Sequence, residues 1–263
     1  MLAHKIVGTA NQMAVIQLET NQCVYADAQS FVWKTGNVTL ETRLTTPQNN
    51  QAGAPAGAGG LLGKALDVGK RMLAGEGMAF QYFTAQGGSG LVTFAGAIPG
   101  ELRAIEMDGS VGWLAERGSL IAAESGISFD IQFTGLRTGM RGNEGFVLQK
   151  YTGVGTLFIA GAGNFIELNP AKYGGVIQAH TGNVVAFQDS VQYSVERIGG
   201  LNAQTAMTAI FGGEGLNLAT FRGDGLVLLQ STSIDTLGEA LKHVVRGADE
   251  RSSPLAGLGR LTT

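Results

Sequence analysis

Cysteine is nearly missing from this chain: Cys23 stands alone. No disulfide can form within the chain, and a reducing compartment fits best. Histidine is almost as scarce. His4, His180 and His243 lie far apart and none belongs to a His-x-His pair, the clustering that metal-dependent cupin chemistry uses. No metal and no other cofactor is therefore expected. Only 5 residues are proline, which leaves no proline-rich linker. Charged residues make up 15% of the chain, against about 25% in an average soluble protein. With a net charge of −3, the balance argues against a broad basic face for nucleic acid. No apolar run approaches the roughly 18–20 residues of a membrane-spanning helix. The most apolar stretches, 157–159 and 226–229, are strand-sized. Met1 to Leu18 lacks a charged segment followed by an unbroken apolar one, so no signal peptide is expected. These absences set the expectation of a soluble, cytoplasmic protein.

The motifs of common catalysts are missing as well. The nearest match to a phosphate loop is Ala58-Gly59-Gly60-Leu61-Leu62-Gly63-Lys64-Ala65. Alanine replaces both its first glycine and the hydroxyl residue that would help hold magnesium. No Gly-x-Ser-x-Gly nucleophile elbow occurs. Cys23 has no histidine near it in sequence and reads as a buried, inert thiol. The expectation is a chain that is not an enzyme.

What the chain has in quantity is glycine, 41 residues, beside 44% hydrophobic residues. Such a composition turns often and tightly, which suits many short strands. The glycines recur in order. Gly75-Glu76-Gly77-Met78, Asn143-Glu144-Gly145-Phe146 and Gly213-Glu214-Gly215-Leu216 are versions of one phrase, their glutamates 68 and 70 residues apart. Each continues with an aromatic-bearing apolar run, a glycine turn and a second apolar run: Met78–Phe83 with Gly87-Gly88-Ser89-Gly90, Phe146–Tyr151 with Gly153-Val154-Gly155, and Leu216–Phe221 with Gly223-Asp224-Gly225. Two strand-like runs joined by a glycine turn predict a β-hairpin. Further on, Gly118–Ala122 answers Gly182–Ala186, and Ile127–Ile131 and Val191–Val195 alternate as half-buried strands do.

Self-similarity at a fixed period predicts one supersecondary unit used repeatedly. The expected fold is all-β: three pseudo-repeated β-sandwich or shortened double-stranded β-helix units in one body over 1–247. The units would span about 10–74, 75–142 and 143–212, with the 213–233 hairpin completing the N-terminal half, and 248–263 would form a tail. Helical spacing predicts short helices over about 61–73 and 235–246, the second capped by Asp235.

Glu76, Glu144 and Glu214 are the most specific polar signal. A carboxylate in a glycine turn ordinarily accepts backbone N–H bonds or pairs with an arginine. Arranged about an axis, three of them would form a ring favouring a cation or raised pKa values. Gly77, Gly145, Gly153, Gly155, Gly215, Gly223 and Gly225 are the expected hairpin-turn glycines.

At these hairpins the chain resembles the mitochondrial-biogenesis, or altered-inheritance-of-mitochondria, family. The resemblance rests on 213–216 with 223–231, on 142–160, and on Phe80-Gln81-Tyr82-Phe83; it covers about 15–233. It implies an architecture like that of the tryptophan RNA-binding attenuator, in three pseudo-repeats. Fungal members are associated with the mitochondrial inner membrane and its cristae-organising machinery. Without a transit peptide, this chain looks like a prokaryotic relative. The resemblance supplies no catalytic residues, and a fold carries no ligand by itself.

The leading functional expectation is a structural or interaction protein that assembles through its β units as a homo-oligomer or with a protein partner. Peripheral membrane association accompanies it. The alternative is a small-ligand or RNA-binding module using a groove between repeats.

Overall fold

The computed structural model describes residues 1–43, 80–116, 118–133, 147–197, 217–233, 236–238 and 241. The chain is nearly all β, as its glycine-rich, strand-sized runs predict. Among the described residues there are eighteen strands: β1 (Ala3–Val7), β2 (Met13–Leu18), β3 (Cys23–Asp27), β4 (Phe31–Lys34), β5 (Val38–Arg43), β6 (Phe80–Ala85), β7 (Gly90–Ala95), β8 (Leu102–Asp108) and β9 (Trp113–Glu116). Then follow β10 (Leu120–Glu124), β11 (Ile127–Phe133), β12 (Val147–Ala160), β13 (Phe165–Leu168), β14 (Val176–His180), β15 (Val184–Gln188), β16 (Gln192–Arg197), β17 (Asn217–Arg222) and β18 (Val227–Gln230). Among the described residues, helix is confined to short turns such as Pro170–Tyr173 and to residues 236–238 and 241. The latter fall inside the predicted 235–246 helix. The predicted 61–73 helix lies outside the described residues.

All strand pairs are antiparallel, and three stretches of chain share one pairing order. In the first, β6 lies between β3 and β5 while β7 lies between β2 and β4. In the second, the front half of β12 lies between β9 and β11, its back half between β8 and β10. In the third, β17 lies between β14 and β16, and β18 between β13 and β15. Even a local irregularity recurs. β4, β10 and β15 each slip register by one residue, at Phe31/Trp33, Leu120/Ala122 and Val184/Ala186. The residue left over bends the strand, as in a β-bulge.

Two sequence expectations need correction. No hairpin forms at the glycine turns, because β6 and β7 pair with different strands and so do β17 and β18. Around Gly153 and Gly155 the chain does not reverse at all: β12 runs unbroken from Val147 to Ala160. Nor do the C-terminal strands complete the N-terminal half. Among the described residues, β17 and β18 pair only with strands between Phe165 and Arg197. The physical reason is shared. Each run already has a strand on both sides, so its neighbour across the glycines has no free edge to receive it.

Among the described residues the core falls into three clusters, and each mixes residues from adjoining stretches. Phe83, Phe94 and Val92 pack with Ile121 and Phe158. Tyr25, Phe80 and Tyr82 join Trp113, Tyr151 and Leu228. Leu148 joins Phe187, Phe221 and Val227. Phe83 and Phe94 are fully buried and meet edge to face, with ring centroids 5.1 Å apart. Burial of each such ring is worth about 1.5–3 kcal/mol, so no stretch could expose its share of these clusters without a large loss.

Candidate functional site

The features that recur lie where the chain crosses between sheets. At each crossing, a side chain from the bulged strand's end accepts the first N–H beyond the glycine. Thr35 Oγ1 accepts from Leu91 N at 3.0 Å, Glu124 Oε2 from Thr156 N at 3.1 Å, and Gln188 Oε1 from Leu226 N at 2.8 Å. The glycines before these amides have no room for a side chain. A Cβ on Gly90 would stand 3.0 Å from Thr35 Oγ1, one on Gly155 2.9 Å from Glu124 Oε2, and one on Gly225 3.2 Å from Gln188 Oε1. Gly153, Gly155, Gly223 and Gly225 also have φ of 117°, 145°, 102° and 152°, values that favour glycine. These four expected glycines are thus crossing glycines rather than hairpin glycines.

Glu76, Glu144 and Glu214, with Gly77, Gly145 and Gly215, lie outside the described residues. Nothing in the sequence singles out the acceptors Thr35, Glu124 and Gln188. They share only a side-chain oxygen, so no repeated letter marks them in the sequence.

The crossings are tied to two seams between the stretches. At the first, β10 pairs with β3, Ala122 facing Ala26 and Ala123 facing Tyr25. At the second, β15 pairs with β9, Ala186 facing Ala115 and Phe187 facing Leu114. All four facing alanines are fully buried, and their small side chains let the layers close tightly. A polar latch accompanies each seam. Gln12 N donates to Gly100 O at 3.0 Å while Gln12 Oε1 accepts from Leu102 N at 2.8 Å. Correspondingly, Glu101 N donates to Gly163 O at 2.9 Å, and Glu101 Oε2 accepts from Phe165 N at 2.8 Å. The Phe165 amide and the Asn164 side-chain amide hold the Glu101 carboxyl below its ordinary pKa, because both donate to its charged form. One junction is therefore used twice, in strands and in latch.

Burial pushes the Cys23 thiol up, away from the thiolate a nucleophile needs. Among the described residues no three of His, Cys, Asp and Glu are grouped to hold a metal. His4 is occupied, with Nδ1 2.9 Å from Leu2 O and its ring edge-on to Phe158. A cleft of about 70 Å³ opens among Gly96, Ile98, Ser119, Gly161, Val185 and Gln230. Ligand pockets usually span about 300–1,000 Å³. No helix among the described residues is long and apolar enough to cross a membrane.

Comparison with known proteins agrees with this reading of fold and kinship. An uncharacterised protein of Streptococcus pyogenes serotype M6 is 28% identical over 229 residues, which cover 87% of this chain and 84% of that protein. The X-ray crystal structure of a Streptococcus pyogenes protein superposes with a TM-score of 0.69 at 24% identity, covering 93% of this chain and all of that one. At that identity the match speaks for the fold alone. The family model described as mitochondrial biogenesis AIM24 matches residues 4–232. The chain belongs to the mitochondrial biogenesis AIM24 family.

Proposed function

We propose that this protein is a non-enzymatic structural and interaction protein, built from three copies of one β unit and acting through assembly. The observation that carries the reading is the double use of one junction: β3 with β10 and β9 with β15, each with its alanine pair and its polar latch. A junction reused within a chain is a surface already selected to bind its own kind. The same proposal places the protein in the cytoplasm and gives it a peripheral contact with membranes. Its exposed apolar residues, Val32, Trp33, Ile166, Tyr173 and Val176 among them, support such a contact. Sedimentation velocity with and without anionic and neutral vesicles tests both parts. Self-association and a vesicle-bound fraction are expected; a chain that stays monomeric and free of vesicles contradicts the reading.

The ligand-binding alternative draws no support from the cleft among Gly96, Ser119 and Gln230, whose volume suits one or two waters rather than a ligand.

A further inference from the structure

Two aspartates of the chain stand directly before a glycine, Asp108 before Gly109 and Asp224 before Gly225. Such a pair carries a chemistry of its own. Glycine has no Cβ to crowd the approach of its nitrogen to the preceding side chain, and its backbone reaches conformations closed to other residues. As dipeptides the two pairs are identical. Only the fold around them differs.

Asp224 is locked into the third crossing. Its Oδ1 accepts from Asn169 Nδ2 at 2.8 Å, and its carbonyl oxygen accepts from Ser190 Oγ at 2.9 Å. Gly225 is buried, and a Cβ there would stand 2.5 Å from Ser190 Oγ and 2.7 Å from Val191 Cγ2. The carboxyl is held by a neighbour and the glycine has no room to shift. Asp108, at the end of β8, has a different setting. Asp108, Gly109 and Ser110 are all exposed. Gly109 has φ of 87°, and Asp108 Oδ1 accepts from Ser110 N at 2.8 Å and from Ser110 Oγ at 2.6 Å. This Asx-turn folds the carboxyl forward along its own chain, over the peptide whose nitrogen belongs to Gly109. Holding two reacting groups together removes the entropic cost of bringing them into contact.

We propose that Asp108-Gly109 is a site of spontaneous covalent modification, at which aspartate converts to isoaspartate while Asp224-Gly225 stays intact. The Gly109 nitrogen forms a bond to Cγ of Asp108. Its proton and the carboxyl hydroxyl leave together as water, closing a succinimide ring. Water then adds to one of the two ring carbonyls and breaks that carbon's bond to nitrogen. Opening at Cγ restores aspartate; opening at the main-chain carbon leaves isoaspartate. No oxidant, metal or enzyme enters the balance. The product has one more methylene in its main chain and a carboxylate freed at the former peptide carbon. That exposed carboxylate is the group a carboxyl methyltransferase would take as substrate. The longer turn also bears on the β12 crossing, because a Cβ on Gly109 would already stand 3.2 Å from Val154 Cγ2 and 3.8 Å from Gly153 O.

The test is an ageing experiment on the full, folded chain. Incubation for weeks in mildly acidic buffer suits it, because the Ser110 bonds hold the Asp108 carboxyl below its ordinary pKa and the neutral form is the one that loses water. Protease digestion followed by mass spectrometry with backbone fragmentation then separates aspartate from isoaspartate at each position. Isoaspartate should accumulate at 108 and stay at background at 224. The same chain aged in urea should convert both pairs at comparable rates, since the fold alone distinguishes them. Asp108→Glu, at an exposed position, should leave the circular dichroism unchanged. It should also remove the methyl-accepting capacity that aged wild-type protein gains towards a carboxyl methyltransferase, because the longer side chain would have to close a larger, less favoured ring. Aged folded protein with no isoaspartate at 108, or with as much at 224, would overturn the proposal. So would methyl-accepting capacity that persists undiminished in Asp108→Glu, or strongly unequal conversion in urea, which would assign the difference to sequence rather than to the fold.

Discussion

Alanine at Gly153 is the sharpest test of the crossing geometry. Gly153 has φ of 117°, and a Cβ there would lie 2.2 Å from the backbone oxygen of Gly126. That oxygen belongs to the backbone of the turn just before β11, the strand paired with β12, so it cannot rotate aside as a side chain would. Left-handed backbone costs a residue with a Cβ about 1–2 kcal/mol, and forcing an atom into packed structure costs about 1–3 kcal/mol more. Gly153→Ala should therefore lose about 2–5 kcal/mol, a fall in Tm of about 4–20 °C at about 2–4 °C per kcal/mol. Gly174 is the internal control. Its φ is 75°, but a Cβ there meets nothing within 4 Å, so Gly174→Ala carries only the backbone cost of about 1–2 kcal/mol. Urea unfolding followed by far-ultraviolet circular dichroism compares the two. If Gly153→Ala is no less stable than Gly174→Ala, the unbroken crossing of β12 is wrong.

Other expectations concern buried polar groups and charge. The Tyr25 hydroxyl is buried without a hydrogen-bond partner among the described residues, and an unpaired buried hydroxyl costs about 1–3 kcal/mol, so Tyr25→Phe should be neutral or stabilising in urea midpoint. Tyr151→Phe should lose about 1 kcal/mol, because its hydroxyl donates to Gln149 Oε1 at 2.5 Å. Glu101, whose folded pKa lies below the ordinary 4.5, stabilises the fold above that value and loses this contribution as pH falls through its folded pKa. Glu101→Gln should accordingly bring the unfolding midpoints of variant and wild type together on acidification below the ordinary value; a gap that stays constant with pH contradicts the latch. Cys23 is half-buried with a raised thiol pKa, so a thiol reagent at neutral pH should label it about tenfold slower in native than in urea-unfolded protein. Equal rates would place the sulfur outside.

The sequence carries the all-β class openly, because glycine frequency and strand-sized apolar runs are local properties. It also marks where the chain changes direction between sheets. Gly153, Gly155, Gly223 and Gly225 are all at crossings. What it does not reveal is whether a glycine-linked pair of strands folds back on itself. Tyr151 and Leu157 flank a Gly-x-Gly just as hairpin strands would, yet they belong to one strand. Occupancy of neighbouring edges decides this, and those neighbours are distant in sequence: β3 meets β6 and β10, nearly sixty and one hundred residues on. The latch acceptors were hidden for another reason. Gln12 and Glu101 hold corresponding places with different side chains, as do Thr35, Glu124 and Gln188. Backbone amides need only an oxygen, so chemistry is preserved there without identity of residue.

The central claim is that one junction joins units inside the chain and that the protein acts through assembly. Sedimentation of the wild-type chain from about 1 μM to about 1 mM, the span over which weak to moderate contacts form, tests it most directly. The account predicts species at multiples of 27.3 kDa that grow with concentration. A single 27.3 kDa species throughout would contradict it.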